Sequence, residues 1–318
     1  MSTVPKLSTT LITFSADDPG GWEHLVERAQ AADRAGLDRL ALPDHVAFGE
    51  NLEAYSDPKA GGLAGGRQPT GPDGHWLEPL STIAHLTAVT ERVRFITGIL
   101  IAALRRPVVL AKTLATIDVL SGGRVDLGVG VGWQREEYEA AGLDYDDRGA
   151  QLNHTLEVCQ TLWTQRVAEH CSDRLQFSRI HQMPKPTQDG GVPIWVSGTV
   201  NPASMRRLAR FGRGWIPWGA DAADIACGIA GMRAAVSAEG RDPEGIEVVS
   251  NLGVVTRDDG SFDVDATMSA VPRLIEAGVT DFRLGLRLRT DAPDAEQRIR
   301  ELVEAFDSVS GRDSATRR

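Results

Sequence analysis

The stretch 117–133, IDVLSGGRVDLGVGVGW, decides the fold of this chain. It begins in the last turns of an apolar helix, and Ser-Gly-Gly at 121–123 then supplies residues that end a helix at low cost. The β-branched run that follows predicts a strand. Glycine weakens a strand, so the glycines within it predict that another group approaches this backbone closely. Packing of a helix on the strand and the approach of a ligand explain that pattern equally well. The glycines concerned are Gly128, Gly130 and Gly132.

Strands and helices alternate in both directions from this stretch. Segment 22–35, for example, has helical spacing and lies between two short strand-like runs. Eight such alternations predict an α/β fold, a single (β/α)8 TIM barrel over residues 1–318. An open, doubly wound sheet is disfavoured, because no Gly-x-Gly-x-x-Gly follows the first strand. The predicted strands are 7–14, 37–42, 93–101, 125–131, 193–197, 214–217, 246–255 and 279–286.

Two long insertions interrupt the alternation. Residues 49–76, after strand two, are rich in Gly and Pro, and a connection of this length predicts a lid, a binding loop or a disordered insertion. Residues 164–191 form the second insertion, before strand five.

The polar residues 308–318 predict a frayed tail. Residues 136–138 are expected to lie on the solvent-exposed face of a helix.

Composition limits the classes of partner. The formal net charge of −10 argues against nucleic acid and anionic membranes, which need basic patches. No apolar run is long enough for a bilayer, and the amino terminus lacks the pattern of a secretory signal. The three widely spaced cysteines favour a reducing compartment, so a cytoplasmic protein is expected.

Candidate site residues lie at the carboxyl ends of the predicted strands, which converge on one face of a barrel. They are mostly glycines, aromatic residues and hydroxyl residues, a set that suits a flat ring with a phosphate tail better than hydrolysis. Gly-x-Ser-x-Gly and His-Glu-x-x-His are missing, and the histidines lack ligand spacing, so no metal site is expected. The candidates are Asp44, His45, Thr97, Gly98, Ile99, Leu100, Gly130, Gly132, Trp133, Ser197, Gly198, Thr199, Trp215 and Trp218.

Two of these groups also have a purely structural interpretation. Asp44 is a favoured helix or loop cap, whereas His45 beside it suits proton transfer near neutral pH. Ser-Gly-Thr at 197–199, before a helix that opens at Pro202, suits a phosphate because free N–H groups point out of a helix start. A capping loop with Asn201 as the cap explains the same residues.

Residues 118–133, DVLSGGRVDLGVGVGW, resemble the hallmark segment of the luciferase-like monooxygenase family. The resemblance extends over about 7–306 and is strongest at 92–165 and 183–219. It implies a (β/α)8-barrel oxidoreductase that uses FMN or the deazaflavin coenzyme F-420.

The resemblance also implies roles for single residues. Asp44 and His45 would lie against the cofactor ring, and Gly98-Ile99 would be a non-prolyl cis peptide that backs it. The cofactor phosphate would lie near 197–199, where many family members carry Gly-Gly. Trp133 stands where deazaflavin-dependent sugar dehydrogenases keep a catalytic Glu, which argues against sugar-phosphate chemistry.

The expected function is hydride transfer between C5 of F-420 and a small, largely apolar organic substrate. The Pro-Asp-His turn at 43–45 resembles the deazaflavin branch. One alternative is a two-component monooxygenase that takes reduced FMN from a flavin reductase partner and activates oxygen. Another is a cofactor-binding barrel without activity. A homodimer is expected as well, because the apolar residues of the helix at 79–90 exceed a single stripe.

Overall fold

The fold is a closed barrel of eight parallel strands surrounded by helices, in a computed structural model that describes residues 4–259, 261–286 and 295–312. Neighbouring strands pair in parallel all the way round, and the first strand pairs with both the second and the last. The predicted (β/α)8 architecture is therefore confirmed. The barrel strands are β1 (Lys6–Thr10), β2 (Arg39–Leu42), β3 (Arg94–Thr97), β4 (Val125–Val129), β5 (Ile194–Gly198), β6 (Gly212–Pro217), β7 (Glu247–Leu252) and β8 (Asp281–Leu284).

The helices follow the predicted order with a few changes. The segment predicted as one helix over 264–277 is two helices, because Pro272 lacks an N–H and is tolerated only in a first turn. No described helix is long and apolar enough to cross a membrane. The α-helices are Glu23–Ala35, Pro79–Thr87, Pro107–Ser121, Arg135–Ala140, Arg148–Thr164, Pro202–Phe211, Ala220–Ala223, Ile225–Ala238, Val264–Met268, Val271–Ala277 and Ala295–Ser310.

Both insertions contain regular structure. Residues 49–76 include a 3-10 helix, Leu52–Ser56, and a short strand, His75–Trp76, that pairs with Phe14–Ser15. Residues 164–191 contain an antiparallel hairpin of Ala168–Cys171 and Gln176–Ile180. A second 3-10 helix, Ala102–Leu104, follows β3.

The carboxyl terminus is more ordered than predicted. The last helix runs to Ser310, and Nε of Arg312 donates to Oδ1 of Asp307 at 2.6 Å, while Nη1 donates to the carbonyl of Pro5 at 3.2 Å. The predicted fraying from residue 308 is therefore wrong over 308–312. The remainder of the predicted tail, 313–318, lies outside the described residues.

The helix expected to mediate a dimer buries its apolar residues within the chain. Leu80, Ile83 and Leu86 are at most 4% exposed, and Ala84 is the exposed member of the set. The large apolar residues of this helix therefore form a single buried stripe, and the predicted second apolar side is wrong. The homodimer stays a prediction without support from this helix.

The inside of the barrel has a polar floor beneath an apolar layer. At the amino ends of the strands, Arg39 is 2% exposed and forms ion pairs with Asp126, at 3.1 Å, and with Asp281. Above this floor lies a compact apolar cluster, which leaves the carboxyl ends of the strands as the open end of the barrel. The cluster consists of Ala41, Ile96, Trp195, Ile216 and Val249, with Ile99 packed against it.

Candidate functional site

The glycines of β4 and the loop that follows it make room for the chain that continues from β3. A Cβ on Gly128 would lie 2.0 Å from the carbonyl oxygen of Thr97, and one on Gly130 would lie 2.9 Å from the Ile99 side chain. A Cβ on Gly132, where φ is +69°, would lie 3.3 Å from Ile101. The predicted close approach is confirmed, but its partner is segment 97–101 rather than a packed helix or a ligand.

That segment forms a bulge at the centre of the barrel mouth. The Gly98–Ile99 peptide bond is cis. The Gly98 N–H donates to the carbonyl of Leu42 at 2.6 Å, and the Leu100 N–H donates to the carbonyl of Gly128 at 2.7 Å. The bulge is therefore held between β2 and β4, and it presents the half-buried Ile99 towards the barrel interior.

Asp44, directly after β2, is a structural anchor of the mouth. It is 5% exposed, and its carboxylate accepts hydrogen bonds from the Ile101 N–H at 2.8 Å and from two nitrogens of Arg105. Arg105 also contacts Glu78 at 3.2 Å. Although burial opposes it, the hydrogen bond that Arg105 donates to Asp44 raises the pKa of Arg105. Both oxygens of Asp44 accept hydrogen bonds within the protein, as the capping interpretation requires. The catalytic role of Asp44 stays a prediction.

His45 is held by a carboxylate that the sequence analysis placed in solvent. Its Nδ1 lies 3.2 Å from Oε2 of Glu137, and Oε1 of the same residue accepts the Val46 N–H at 2.6 Å. The Glu137 side chain is fully buried and that of His45 is 9% exposed. The predicted solvated face at 136–138 is wrong, because Glu137 and Tyr138 point inward from their short helix.

Aromatic side chains surround this imidazole. The His45 ring lies 4.3 Å from Phe48, 5.0 Å from Trp76 and 5.7 Å from Trp133, measured between centroids. Trp133 is 5% exposed, and its buried Nε1 has no hydrogen-bond partner among the described residues. We call this group the aromatic cluster; its members are Phe14, His45, Phe48, Tyr55, Trp76 and Trp133.

The insertion 49–76 crosses the mouth and is tied down on both sides. The Gln134 side-chain amide exchanges hydrogen bonds with the backbone of Gly49 at 3.0 and 3.1 Å. Tyr145 donates to the Ala60 carbonyl at 2.8 Å, and Nε1 of Trp218 donates to the Gly62 carbonyl at 3.0 Å. Of the predicted lid, binding loop and disordered insertion, these contacts favour a lid or binding loop and disfavour a disordered insertion.

The predicted phosphate site after β5 is occupied by the protein's own caps. Oδ1 of Asn201 accepts the N–H groups of Ala203, at 3.1 Å, and Ser204, at 3.0 Å. The Val200 N–H donates to Asp221 at 2.7 Å. The expectation of free N–H groups at this helix start is therefore wrong, and the capping interpretation holds. Contact of residues 197–199 with a cofactor stays a prediction.

Two predicted contact residues donate hydrogen bonds to backbone carbonyls of the barrel strands. Thr97 and Trp215 are both completely buried. The Thr97 hydroxyl donates to the Gly128 carbonyl at 2.7 Å, and Nε1 of Trp215 donates to the Gly198 carbonyl at 3.0 Å. Trp215 belongs to the main core between strands and helices. Both side chains therefore support the backbone at the strand ends, and their contact with a cofactor stays a prediction.

The arrangement is suited to proton transfer beside an apolar ring. A carboxylate on Nδ1 fixes the orientation and tautomer of an imidazole, which leaves Nε2 as the nitrogen that can exchange a proton with a ligand. No described residue hydrogen-bonds Nε2 of His45. The described residues contain no group of three or more His, Cys, Asp or Glu side chains arranged to hold a metal ion.

Comparison with known proteins gives a consistent match. The model of the luciferase-like monooxygenase family matches residues 7–270. An uncharacterised protein of Mycobacterium tuberculosis is 31% identical over 278 residues, which cover 84% of this chain and 87% of that protein.

Two relatives have a named activity. The F420-dependent hydroxymycolic acid dehydrogenase of Mycobacterium tuberculosis is 26% identical over 240 residues, covering 74% of this chain and 60% of that protein. The oxygenase component of the flavin-dependent trigonelline monooxygenase of Acinetobacter baylyi is 28% identical over 178 residues. That match covers 55% of this chain and 43% of the relative.

Solved structures share the fold at low identity. An F420-dependent secondary alcohol dehydrogenase in complex with an F420-acetone adduct superposes with a TM-score of 0.72 at 18% identity, covering 96% of this chain and 99% of that one. A long-chain alkane monooxygenase superposes with a TM-score of 0.73 at 15% identity, covering 98% and 92%.

Proposed function

We propose, from the premise that this chain belongs to the luciferase-like monooxygenase family and is an oxidoreductase, that it transfers a hydride between coenzyme F-420 and a small, largely apolar organic substrate. The match to the family model confirms the resemblance carried by 118–133. The observation that carries the proposal is the buried contact between Glu137 and Nδ1 of His45, at the mouth of the barrel and inside the aromatic cluster.

The residues of the mouth fit a planar ring that has apolar faces and polar atoms along its edges. Such a ring needs apolar walls and a few polar groups at its rim. Ile99 and the aromatic cluster supply the walls. Trp133 and Arg283 carry buried N–H groups without a partner among the described residues. An orphaned buried donor costs about 1–3 kcal/mol, so a ligand that offers acceptors there is favoured.

His45 supplies the proton step that accompanies hydride transfer. When bound, F-420 supplies a ring carbon that gives or takes a hydride. An alcohol that loses a hydride to become a carbonyl must also lose its hydroxyl proton, and Nε2 of His45 is the group we assign to accept it. Glu137 holds Nδ1, so that Nε2 is the ring nitrogen left free to take the proton.

The substrate class follows from the surroundings of this imidazole. Phe48 and Trp76 lie against the His45 ring, and the insertion 49–76 shields the mouth. Walls of this kind favour an apolar alcohol or carbonyl compound over a sugar phosphate. The names of the F420-dependent relative and of the F420-dependent alcohol dehydrogenase with the same fold support this choice.

A two-component FMN-dependent monooxygenase is the second candidate. The relative named as the oxygenase component of a trigonelline monooxygenase supports it. That function would require a reductase partner that delivers reduced FMN, and oxygen as co-substrate. A barrel that only holds the cofactor is disfavoured, because such a protein would have no use for a buried carboxylate–imidazole pair at the mouth.

Fluorescence titration with F-420 and FMN tests the proposed cofactor. We expect a dissociation constant of about 1 µM or lower for F-420, which corresponds to about −8 kcal/mol, and weaker binding of FMN. Reduction of bound F-420 by a panel of secondary alcohols then tests the direction of hydride transfer. Tighter binding of FMN than of F-420 would contradict the proposal and select the monooxygenase.

A further inference from the structure

An arginine lies inside the barrel directly beneath the bulge. Arg283 is on β8, where it pairs with Ser8 of β1 and Asn251 of β7, and it is 8% exposed. A Cβ built on Gly98 would lie 3.7 Å from Nη1 of Arg283 and 3.1 Å from the Cβ of Ala41. The guanidinium therefore reaches the level of the cis peptide, at the inner end of the mouth.

The hydrogen-bonding capacity of this guanidinium is unused. Its Nε and Nη2 are buried without a partner among the described residues. The nearest carboxylate in sequence, Asp281, is already engaged, because one oxygen accepts from Ser8 and the other from Arg39. Arg283 thus differs from Arg39, whose charge is matched by Asp126 and Asp281.

The surroundings make the charge costly when the site is empty. Burial, with repulsion from Arg39, lowers the pKa of Arg283, and Asp281 opposes that shift only partly. A guanidinium loses several kcal/mol of hydration when it leaves water, and a hydrogen-bonded counter-charge restores that loss. Nothing in the apolar cluster above the floor supplies one. A ligand oxyanion at this position would.

The space next to Arg283 suits the edge of a flat ring. Gly98 has no side chain and Ala41 has a small one, so little side-chain volume lies beside Nη1 of Arg283 on this side. Ile96 and Ile216 belong to the apolar cluster against which Ile99 packs. A planar ring that enters the mouth beside Ile99 would bring its inner edge to Arg283.

We propose that Arg283 binds an anionic oxygen at the inner edge of the cofactor ring. This inference rests on the proposed function, because it requires a flavin or deazaflavin in the mouth. Two oxygens of such rings have the right chemistry. The pyrimidine edge, shared by F-420 and FMN, carries a carbonyl on which ring charge is delocalised, and F-420 alone has a phenol-type hydroxyl at the opposite edge.

Titration of Arg283→Gln and Arg283→Lys with F-420 and with FMN, followed by fluorescence, tests the proposal. Arg283→Gln should weaken binding about tenfold to a hundredfold, since hydrogen bonds to charged groups are of that strength. Arg283→Lys keeps the positive charge but not the forked N–H groups of the guanidinium, so its cofactor affinity should fall less than that of Arg283→Gln. Weakening of both cofactors assigns the pyrimidine edge, and weakening of F-420 alone assigns the phenol edge. The exposed Arg213, at the other end of the barrel, gives the control Arg213→Gln, which should change neither affinity.

Thermal unfolding of the ligand-free variants separates binding from structure. Since the charge is unmatched in the empty site, Arg283→Gln should melt at the wild-type temperature or above it. A lowered melting temperature with unchanged affinity for both cofactors would overturn the proposal and make Arg283 structural. Weakened binding of benzoate, used as a carboxylate probe, with both cofactors unaffected, would overturn it in favour of a substrate contact. Failure of the wild type to bind either cofactor would instead contradict the proposed function itself.

Discussion

Oε2 of Glu137 lies 3.2 Å from Nδ1 of His45, across 92 residues of sequence. The two side chains come from different βα units, one after β4 and one after β2. The other oxygen of Glu137 accepts the Val46 N–H at 2.6 Å. One buried carboxylate therefore fixes both the imidazole and the backbone that carries it, which is the arrangement a proton-transferring histidine needs.

Glu137→Gln should lower turnover by about 10²-fold, the low end for a general acid–base group. The amide can still accept the Val46 N–H, but its NH2 then faces Nδ1 of His45 and forces the proton onto Nε2, so the imidazole loses its function as a base. Steady-state kinetics with F-420 checks this. Glu139→Gln, on the exposed face of the same helix, is the matched control. Turnover of Glu137→Gln within twofold of wild type would contradict the role.

His45→Ala should also lower turnover by about 10²-fold, because it removes the imidazole that is assigned to take the proton. Kinetics and the redox behaviour of the bound ring are the measurements. If the residue serves only the loop, the variant would instead lose up to about 1–2 kcal/mol of stability and keep its kinetics.

Gly130→Ala should deform the bulge. The new Cβ would lie 2.9 Å from the Ile99 side chain, and overpacking of this kind costs about 1–3 kcal/mol. Chemical denaturation measures the loss, and the cofactor affinity should fall with it. The double variant Gly130→Ala/Ile99→Ala should recover stability if this contact is the cause. Gly253→Ala, with no atom within 4 Å of the new Cβ, is the control and should be neutral.

Asp33 predicts an acid-sensitive contribution to stability. It accepts the N–H groups of Glu91, Arg92 and Val93 at 2.7–2.9 Å. Although burial opposes it, these backbone hydrogen bonds hold the pKa of Asp33 below its ordinary value. A depressed folded pKa contributes stability above the unfolded value of about 3.9, and that stability is lost as pH falls through the folded value.

Asp33→Asn should therefore be less stable than wild type by about 1–3 kcal/mol at pH 7. The difference should shrink as the pH falls from about 4 towards the lower folded pKa, because the unfolded carboxyl takes up a proton first. Urea unfolding across this range measures both effects. A difference that stays constant down to the lowest pH would show that the charge of Asp33 is irrelevant.

The alternation of strand and helix was readable from sequence, because each βα unit has its own period and its own glycine or proline boundary. The glycines of 128–132 also marked the right place, since only a close backbone approach requires them. The sequence did not show which residues of each strand face the barrel interior and which face the helices. Strands buried on both faces are apolar throughout, so nothing in the pattern shows that Trp215 faces the helices while Ile216 faces the barrel interior.

The polar partners inside the site were missed for similar reasons. Glu137 lies on a helix of six residues, Arg135–Ala140, which is too short to show an apolar stripe. Arg283 follows Phe282 in a four-residue strand, where an arginine usually indicates an exposed position. Contacts across 92 residues, such as that of Glu137 with His45, depend on how the βα units are arranged in space.

A crystal structure of the F-420 complex tests the central claim most directly, by the distance from Nε2 of His45 to the deazaflavin ring. The account predicts a ring inside the barrel mouth, with one face on Ile99 and Nε2 of His45 within about 3.5 Å of the reacting groups, as near-attack geometry requires. A ring bound outside the mouth, or bound there with His45 turned away from it, would contradict the account.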